Sequence, residues 1–249
     1  QNSRLRQSFG RQAKLKTQNF LKMGIIIISI LFTVIGMILS GTLRSKFNKY
    51  SQVPLTNGMN GAEVAATMLR HYGIHDVEII SVEGQLTDHY NPANKTVNLS
   101  HDVYHGRNVA AAAVAAHECG HAVQHATSYS MLQMRSALVP IVNIAASIQQ
   151  YLFMFALVSI SMLNNPIVMV VVLVAFGITC LFSLVTLPVE FDASRRALAW
   201  LDNSGVARGE QYAGAKDALF WAAMTYVSAA LAALLQFLYL LLRFMGSRE

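Results

Sequence analysis

The chain has 249 residues, of which 54% are hydrophobic and 13% charged, with a formal net charge of +6 at pH 7. Soluble domains carry about 25% charged residues. The composition therefore excludes an ordinary soluble domain and predicts an integral membrane protein. Its two cysteines, Cys119 and Cys180, provide no disulfide framework. The positive charges flank apolar segments, which favours contact with a lipid bilayer and argues against a nucleic-acid partner.

Residues 1–22 form a basic tail that contains six Lys or Arg and no acidic residue. The tail shows no apolar periodicity, so we expect it to be disordered. Met23 opens the first hydrophobic segment and is a natural start site. Two origins of the tail therefore stay open, a native extension and an upstream translation artefact.

Four apolar segments are long enough to cross a bilayer core of about 30 Å, which takes about 20 helical residues. They comprise residues 23–43, 138–163, 167–187 and 220–242. The second and third form a predicted hairpin around the short turn Asn164-Asn165-Pro166. A helix lying at the membrane interface is the alternative for the second segment, because polar residues interrupt it at Asn143, Ser147, Gln149 and Gln150.

The main extramembrane region comprises residues 44–137, and a shorter one comprises residues 188–219. In the first, residues 61–72 predict an amphipathic helix. Residues 77–82 and 95–99 predict two short strands with turn-forming residues between them. We therefore expect a small hairpin in this region. The predicted fold class is mainly α, with integral membrane helices and a small α+β domain.

The pentad His117-Glu118-Cys119-Gly120-His121 is an HExxH motif within an alanine-rich run. Alanine favours helix, and Asn108 is a suitable N-cap for this run. Histidines four residues apart project from the same helix face, which suits two imidazole ligands of one Zn²⁺. Glu118 is the predicted general base. Cys119 lies between the histidines and is predicted to face away from the metal as a packing residue.

A catalytic zinc site needs a third protein ligand and one open position. Among the acidic residues after the pentad, we choose Glu190, because Pro188 suits the first turn of a new helix near the membrane surface. Asp192 cannot face the same way, and it either pairs with Arg196 or orients a histidine. His125 lies too far along the helix to bind the same ion and is expected at the surface or beside a ligand.

Residues 88–92 and Arg135 each allow two interpretations. In the first segment, His89 or Tyr90 could stabilise an oxyanion. The alternative, which we favour, is that residues 88–92 form a turn closed by an Asx hydrogen bond. Arg135 either anchors a substrate carbonyl or, as is commoner, flanks the membrane.

The chain resembles the YugP-type membrane-bound neutral zinc metallopeptidases of bacteria, and more loosely the HtpX-like membrane peptidases. The resemblance covers residue 23 to the end, and it rests on residues 57–69, 84–92, 97–100, 115–124 and 187–198. It implies a zinc hydrolase with Glu118 as general base. The looser relatives place an Asp four residues after their Glu ligand, where this chain has Ser194, so the group that supports the ligands stays open.

The sequence thus predicts a membrane-embedded zinc endopeptidase with a small α+β zincin-like catalytic domain, in which His117, His121 and Glu190 bind Zn²⁺ and Glu118 activates water. The edge strand of the predicted hairpin is expected to align an extended substrate. A membrane scaffold with a structural zinc and a zinc amidase with a non-peptide substrate are the alternatives. The expected location is the bacterial inner membrane. Positive residues concentrate on the side of the pentad, which predicts a cytoplasmic site. If the six positive residues of the basic tail are counted on the other side, the numbers of positive residues on the two sides become similar.

Overall fold

A computed structural model describes residues 2–158 and 165–246. Within these residues the elements are α1 Asn2–Ser51, α2 Gly61–His71, β1 Glu78–Val82, β2 His89–Asn91, β3 Thr96–Ser100, α3 His101–His105, α4 Val109–Ala126, α5 Ser130–Val158, α6 Pro166–Asn203 and α7 Glu210–Gly246. The chain divides into two compact units. The helical unit contains Gln1–Gly36, Pro140–Ser183 and Ser228–Glu249, and the site unit contains Met37–Val139 and Leu184–Val227.

Four helices of the described chain are long and apolar enough to cross a membrane. They are Gly24–Ser51, Ser130–Tyr151, Ile167–Asn203 and Glu210–Gly246. Each overlaps one of the four apolar segments predicted from the sequence, so the mainly helical architecture is confirmed. Residues 159–163 of the second segment and Asn164 of the predicted turn lie outside the described residues.

Polar side chains in the second apolar segment find partners inside the helical unit. Gln149 Nε2 donates to the Ala175 carbonyl at 3.0 Å and to Thr179 Oγ1 at 2.8 Å. The hydroxyl of Ser147 donates to the carbonyl of Asn143 at 3.0 Å. Satisfied polar groups cost much less to bury than free ones, so this segment suits a membrane span better than its sequence alone indicates.

The prediction that the basic tail is disordered is wrong, because α1 begins at Asn2. Arg, Lys, Gln and Leu, which dominate the tail, are good helix formers. The tail also extends an existing helix, so it avoids the cost of forming a new helix nucleus.

A three-stranded sheet with the order β1-β3-β2 lies in the site unit. β3 is central and all five of its residues are buried. The predicted strands at residues 77–82 and 95–99 correspond to β1 and β3, but they pair in parallel and do not form a hairpin with each other. The hairpin is formed by β2, which pairs antiparallel with β3 through His89↔Asn98 and Asn91↔Thr96. β2 is therefore one of the two edge strands, and β1 is the other.

Pro188 lies inside α6 and does not begin a new helix, so that prediction is wrong. A proline within a helix removes one hydrogen bond and costs about 3 kcal/mol. The helix continues because its next turns are buried in the site unit, where Val189, Ala193 and Ala197 are each 0% exposed. Burial of these side chains offsets the cost of the proline.

Candidate metal centre

The two histidines of the pentad lie on one face of α4, as their spacing predicts. The helix begins after Asn108, whose side chain accepts a hydrogen bond from the Ala111 N–H at 2.9 Å, so the predicted N-cap is present. The ring centroids of His117 and His121 are 4.8 Å apart. His121 is buried and His117 is half-buried, so this face of α4 points into the protein.

Glu190 of α6 faces both histidines, and its side chain is 3% exposed. Its Oε2 atom lies 3.4 Å from His117 Nε2 and 3.6 Å from His121 Nε2. One ligand atom from each of the three residues lies within 4.8 Å of the others. The structure therefore brings together the three residues that the sequence analysis selected, and Glu190 rather than Asp192 faces the histidines.

Helices α4 and α6 approach closely at Gly120, the fourth residue of the pentad. A Cβ atom at this position would lie 2.6 Å from the carbonyl oxygen of Ala193. Only a residue without a side chain permits this contact. The approach sets Glu190, one turn before Ala193, against the face that carries the histidines. The HExxH pattern itself predicts no role for Gly120, although a glycine inside an alanine-rich helix signals close packing.

Gln124 holds His121 in one tautomer. Gln124 Nε2 donates to the Val189 carbonyl at 2.7 Å and to Asp192 Oδ2 at 3.0 Å. Both partners are acceptors, so the remaining amide oxygen of Gln124 accepts a hydrogen bond from His121 Nδ1 at 3.0 Å. Nδ1 thus carries the proton, and Nε2 keeps its lone pair for a metal ion.

We expect Gln124→Met to weaken zinc binding about 10–100-fold, the usual effect of losing a group that orients a metal-binding histidine. Methionine fills a similar volume but leaves the His121 Nδ1–H without its acceptor. Competition with a chelator measures the affinity. Gln52→Met, at an exposed position, is the control. Unchanged zinc affinity in Gln124→Met would contradict the tautomer argument.

The group beside His117 is Ser194, whose hydroxyl lies 3.1 Å from His117 Nδ1. Asp192 reaches a histidine only indirectly, through Gln124. The predicted pair of Asp192 with Arg196 is present, at 2.6 Å between Oδ2 and Nε. Ser194 and Gln124 orient the histidines, a role that the sequence pattern does not predict for either residue.

Glu118 is 8% exposed and contacts the edge strand. The backbone N–H of Tyr90 in β2 donates to Glu118 Oε2 at 2.9 Å. The negative charge of Glu118 also contributes to raising the pKa of His121. Its carboxylate is therefore buried close to the metal-binding face and held through one oxygen, which leaves the other oxygen for a reacting group.

The Asx hydrogen bond predicted for residues 88–92 is present at Asn91, whose Oδ1 accepts from the Ala93 N–H at 2.9 Å, while His89–Asn91 form strand β2. The favoured interpretation is wrong for Asp88 only. Asp88 instead accepts from the N–H of Ser100 at 2.7 Å and from its hydroxyl at 3.2 Å, which ties the segment to β3. Burial raises the pKa of Asp88 above its ordinary value. His89 Nδ1 lies 2.8 Å from the Thr87 carbonyl. The Tyr90 hydroxyl lies 2.7 Å from His125 Nδ1.

Arg135 lies beside the cluster, with its Nη2 atom 3.8 Å from Glu190 Oε1. From the sequence, membrane flanking is the commoner role for this residue. Its contact with Glu190 shows that the guanidinium contributes positive charge to the site. Tyr226 of α7 also interacts with the Glu190 carboxylate.

The donor set fits a zinc ion. Two imidazoles and one carboxylate are the ligands of many catalytic zinc sites, which keep a fourth position open. Within the described residues, Glu190 Oε2 is buried and accepts no hydrogen bond, so a cation would satisfy it.

Burial alone lowers the pKa of His121, but the nearby Glu190 carboxylate raises it above the ordinary value. Cys119 is fully buried away from the cluster, and burial raises the pKa of its thiol.

Comparison with known proteins identifies the family. Residues 25–245 match the family described as "putative neutral zinc metallopeptidase", and the chain belongs to this family. It is also similar to the "Putative membrane protease YugP" of Bacillus subtilis (strain 168). The two are 40% identical over 209 residues, which cover 83% of this chain and 90% of that protein. No solved structure matches the chain significantly.

Proposed function

We propose that the protein is a membrane-embedded, zinc-dependent endopeptidase. The observation that carries this proposal is the convergence of His117, His121 and Glu190, with one ligand atom from each within 4.8 Å of the others. The buried Glu118 next to His117 adds a base, which a purely structural zinc site does not need. Membership of the metallopeptidase family and the membrane-protease relative support the same reaction class.

Each of the four residues has a defined task in this proposal. His117, His121 and Glu190 hold the ion through the atoms that face one another. When bound, zinc supplies a Lewis acid that polarises a carbonyl and makes water more acidic. Glu118 takes a proton from the attacking water with the oxygen that Tyr90 leaves free, and then gives the proton to the leaving amine.

An extended peptide fits beside β2. This strand is at the edge of the sheet, and its Tyr90 N–H points to Glu118 rather than to β3. The free edge of β2 therefore lies against Glu118, and we assign this edge as the place where a substrate strand comes close to the reacting groups. A cavity of about 490 Å³ lies between Pro92 and Ala93, just after β2, and Leu132 of α5. We assign this cavity to a substrate side chain.

The test of this proposal is a metal analysis of the purified protein combined with a casein cleavage assay. If the wild-type protein contains one zinc ion per chain and cleaves casein faster than the Glu118→Gln variant does, the result supports an endopeptidase. Zinc without cleavage of casein or peptides favours the structural-zinc scaffold. Hydrolysis restricted to small amides favours the zinc amidase.

We also propose that the site faces the cytoplasm, because cytoplasmic flanks of spans are rich in Lys and Arg. Cysteine placed at Ser204 should then resist a membrane-impermeant thiol reagent in intact cells, whereas cysteine placed at Asn165 should react. The native Cys119 and Cys180 are buried, so they give little background. Modification at position 204 with protection at position 165 would contradict this assignment and place the site on the opposite side of the membrane. The positive residues on the proposed cytoplasmic side are Arg44, Lys46, Lys49, Arg70, Lys95, Arg107, Arg135, Arg195, Arg196, Arg208 and Lys216.

A further inference from the structure

Arg135 has hydrogen-bonding capacity that the described residues do not use. Its Nη2 atom is 3.8 Å from Glu190 Oε1, which is too long for a hydrogen bond. Its Nε atom is buried and has no hydrogen-bond partner among the described residues. A buried donor on a charged group costs free energy unless a partner satisfies it. A guanidinium held in this way beside the ligand cluster is suited to receive a ligand oxygen.

Four other donors that the described residues place near the cluster already have partners. The Tyr90 N–H donates to Glu118, and the Tyr90 hydroxyl lies against His125. The ring of His89 is turned to the Thr87 carbonyl. The Tyr226 hydroxyl interacts with the Glu190 carboxylate. Among these donors of the described residues, Arg135 is the one that a substrate oxygen can engage without breaking an existing contact.

We propose that Arg135 is a catalytic residue that binds the scissile carbonyl oxygen and stabilises the negative charge that forms on it. This inference rests on the proposed peptidase function. The oxygen of water bonds to the carbonyl carbon, its proton passes to Glu118, and the electron pair of the C=O bond moves onto the oxygen beside Arg135. When that pair returns, the C–N bond breaks and Glu118 protonates the leaving amine.

The arginine suits this task for two physical reasons. Its charge is permanent, and its planar fork presents several N–H donors in fixed directions. The adjacent Glu190 keeps the guanidinium at the site through charge attraction without taking its donors. A donor that is already in place costs no reorganisation when the charge develops, which is the basis of oxyanion stabilisation.

The experiment compares Arg135→Ala, Arg135→Lys and the control Arg70→Ala, which removes an exposed arginine of α2. We expect Arg135→Ala to lower kcat about 10²–10³-fold, the usual loss for one oxyanion donor, with little change in KM. Free guanidinium ion should restore part of the rate to Arg135→Ala only. Arg135→Lys should fall between the wild type and Arg135→Ala, and Arg70→Ala should match the wild type.

Two readouts do not depend on turnover. The zinc content of Arg135→Ala should equal that of the wild type, and a peptide phosphonate, whose charged oxygens imitate the intermediate, should bind at least about 10-fold more weakly to the variant. Loss of zinc from Arg135→Ala, or unchanged phosphonate affinity, would overturn the assignment. Failure of the proposed function is seen separately, as a zinc-loaded wild type that cleaves no better than Glu118→Gln.

Discussion

Glu118→Gln is expected to retain zinc and to lose peptide hydrolysis by about 10²–10⁴-fold, the usual contribution of a general base. The substitution keeps the size of the side chain and its contact with the Tyr90 N–H, which the amide oxygen can still accept. It removes only the ability to take a proton at neutral pH. Zinc per chain, measured by elemental analysis, and the initial rate of casein cleavage are compared with the wild type.

The matched control for this variant is Glu83→Gln, which makes the same chemical change at an exposed position. Its zinc content and cleavage rate should both equal those of the wild type. A Glu118→Gln protein that binds zinc and cleaves casein at the wild-type rate would show that Glu118 is not the base. Loss of zinc from this variant would assign Glu118 to the metal-binding set.

The sequence predicts the parts of the fold that depend on local pattern. Asn108 and the alanines after it specify α4, and the spacing of His117 and His121 places both rings on one helix face. The apolar segments are long enough to indicate four membrane helices without any tertiary information. Glu190 was chosen among the later acids on the premise that Pro188 begins a new helix. That premise is wrong, but the position of Glu190 opposite the histidines agrees with the choice.

The parts that the sequence does not predict depend on contacts between distant residues. β2 has only three residues, and its local sequence is typical of a turn. It forms a strand because it pairs with the buried strand β3. Pro188 is tolerated within α6 because the following turns are buried. Gly120 and Gln124 acquire their roles only when α6 packs against α4.

Glu190→Ala is expected to lower zinc affinity far more than Asp192→Ala does. Glu190 Oε2 lies within 3.6 Å of both histidine Nε2 atoms, so its loss removes a ligand. Asp192 acts through Gln124, and losing such a supporting group typically costs about 10–100-fold in metal affinity.

Zinc retained after gel filtration, together with chelator competition, ranks the two variants of this pair. Asp202→Ala removes an exposed carboxylate from the same helix and should leave zinc binding unchanged. The Glu190→Ala protein should then be nearly free of zinc at concentrations that fill the wild type, whereas the Asp192→Ala protein stays partly loaded. The opposite ranking would make Asp192 the third ligand. That result would require α6 to turn its other face toward His117 and His121, because the two acids point in different directions from this helix.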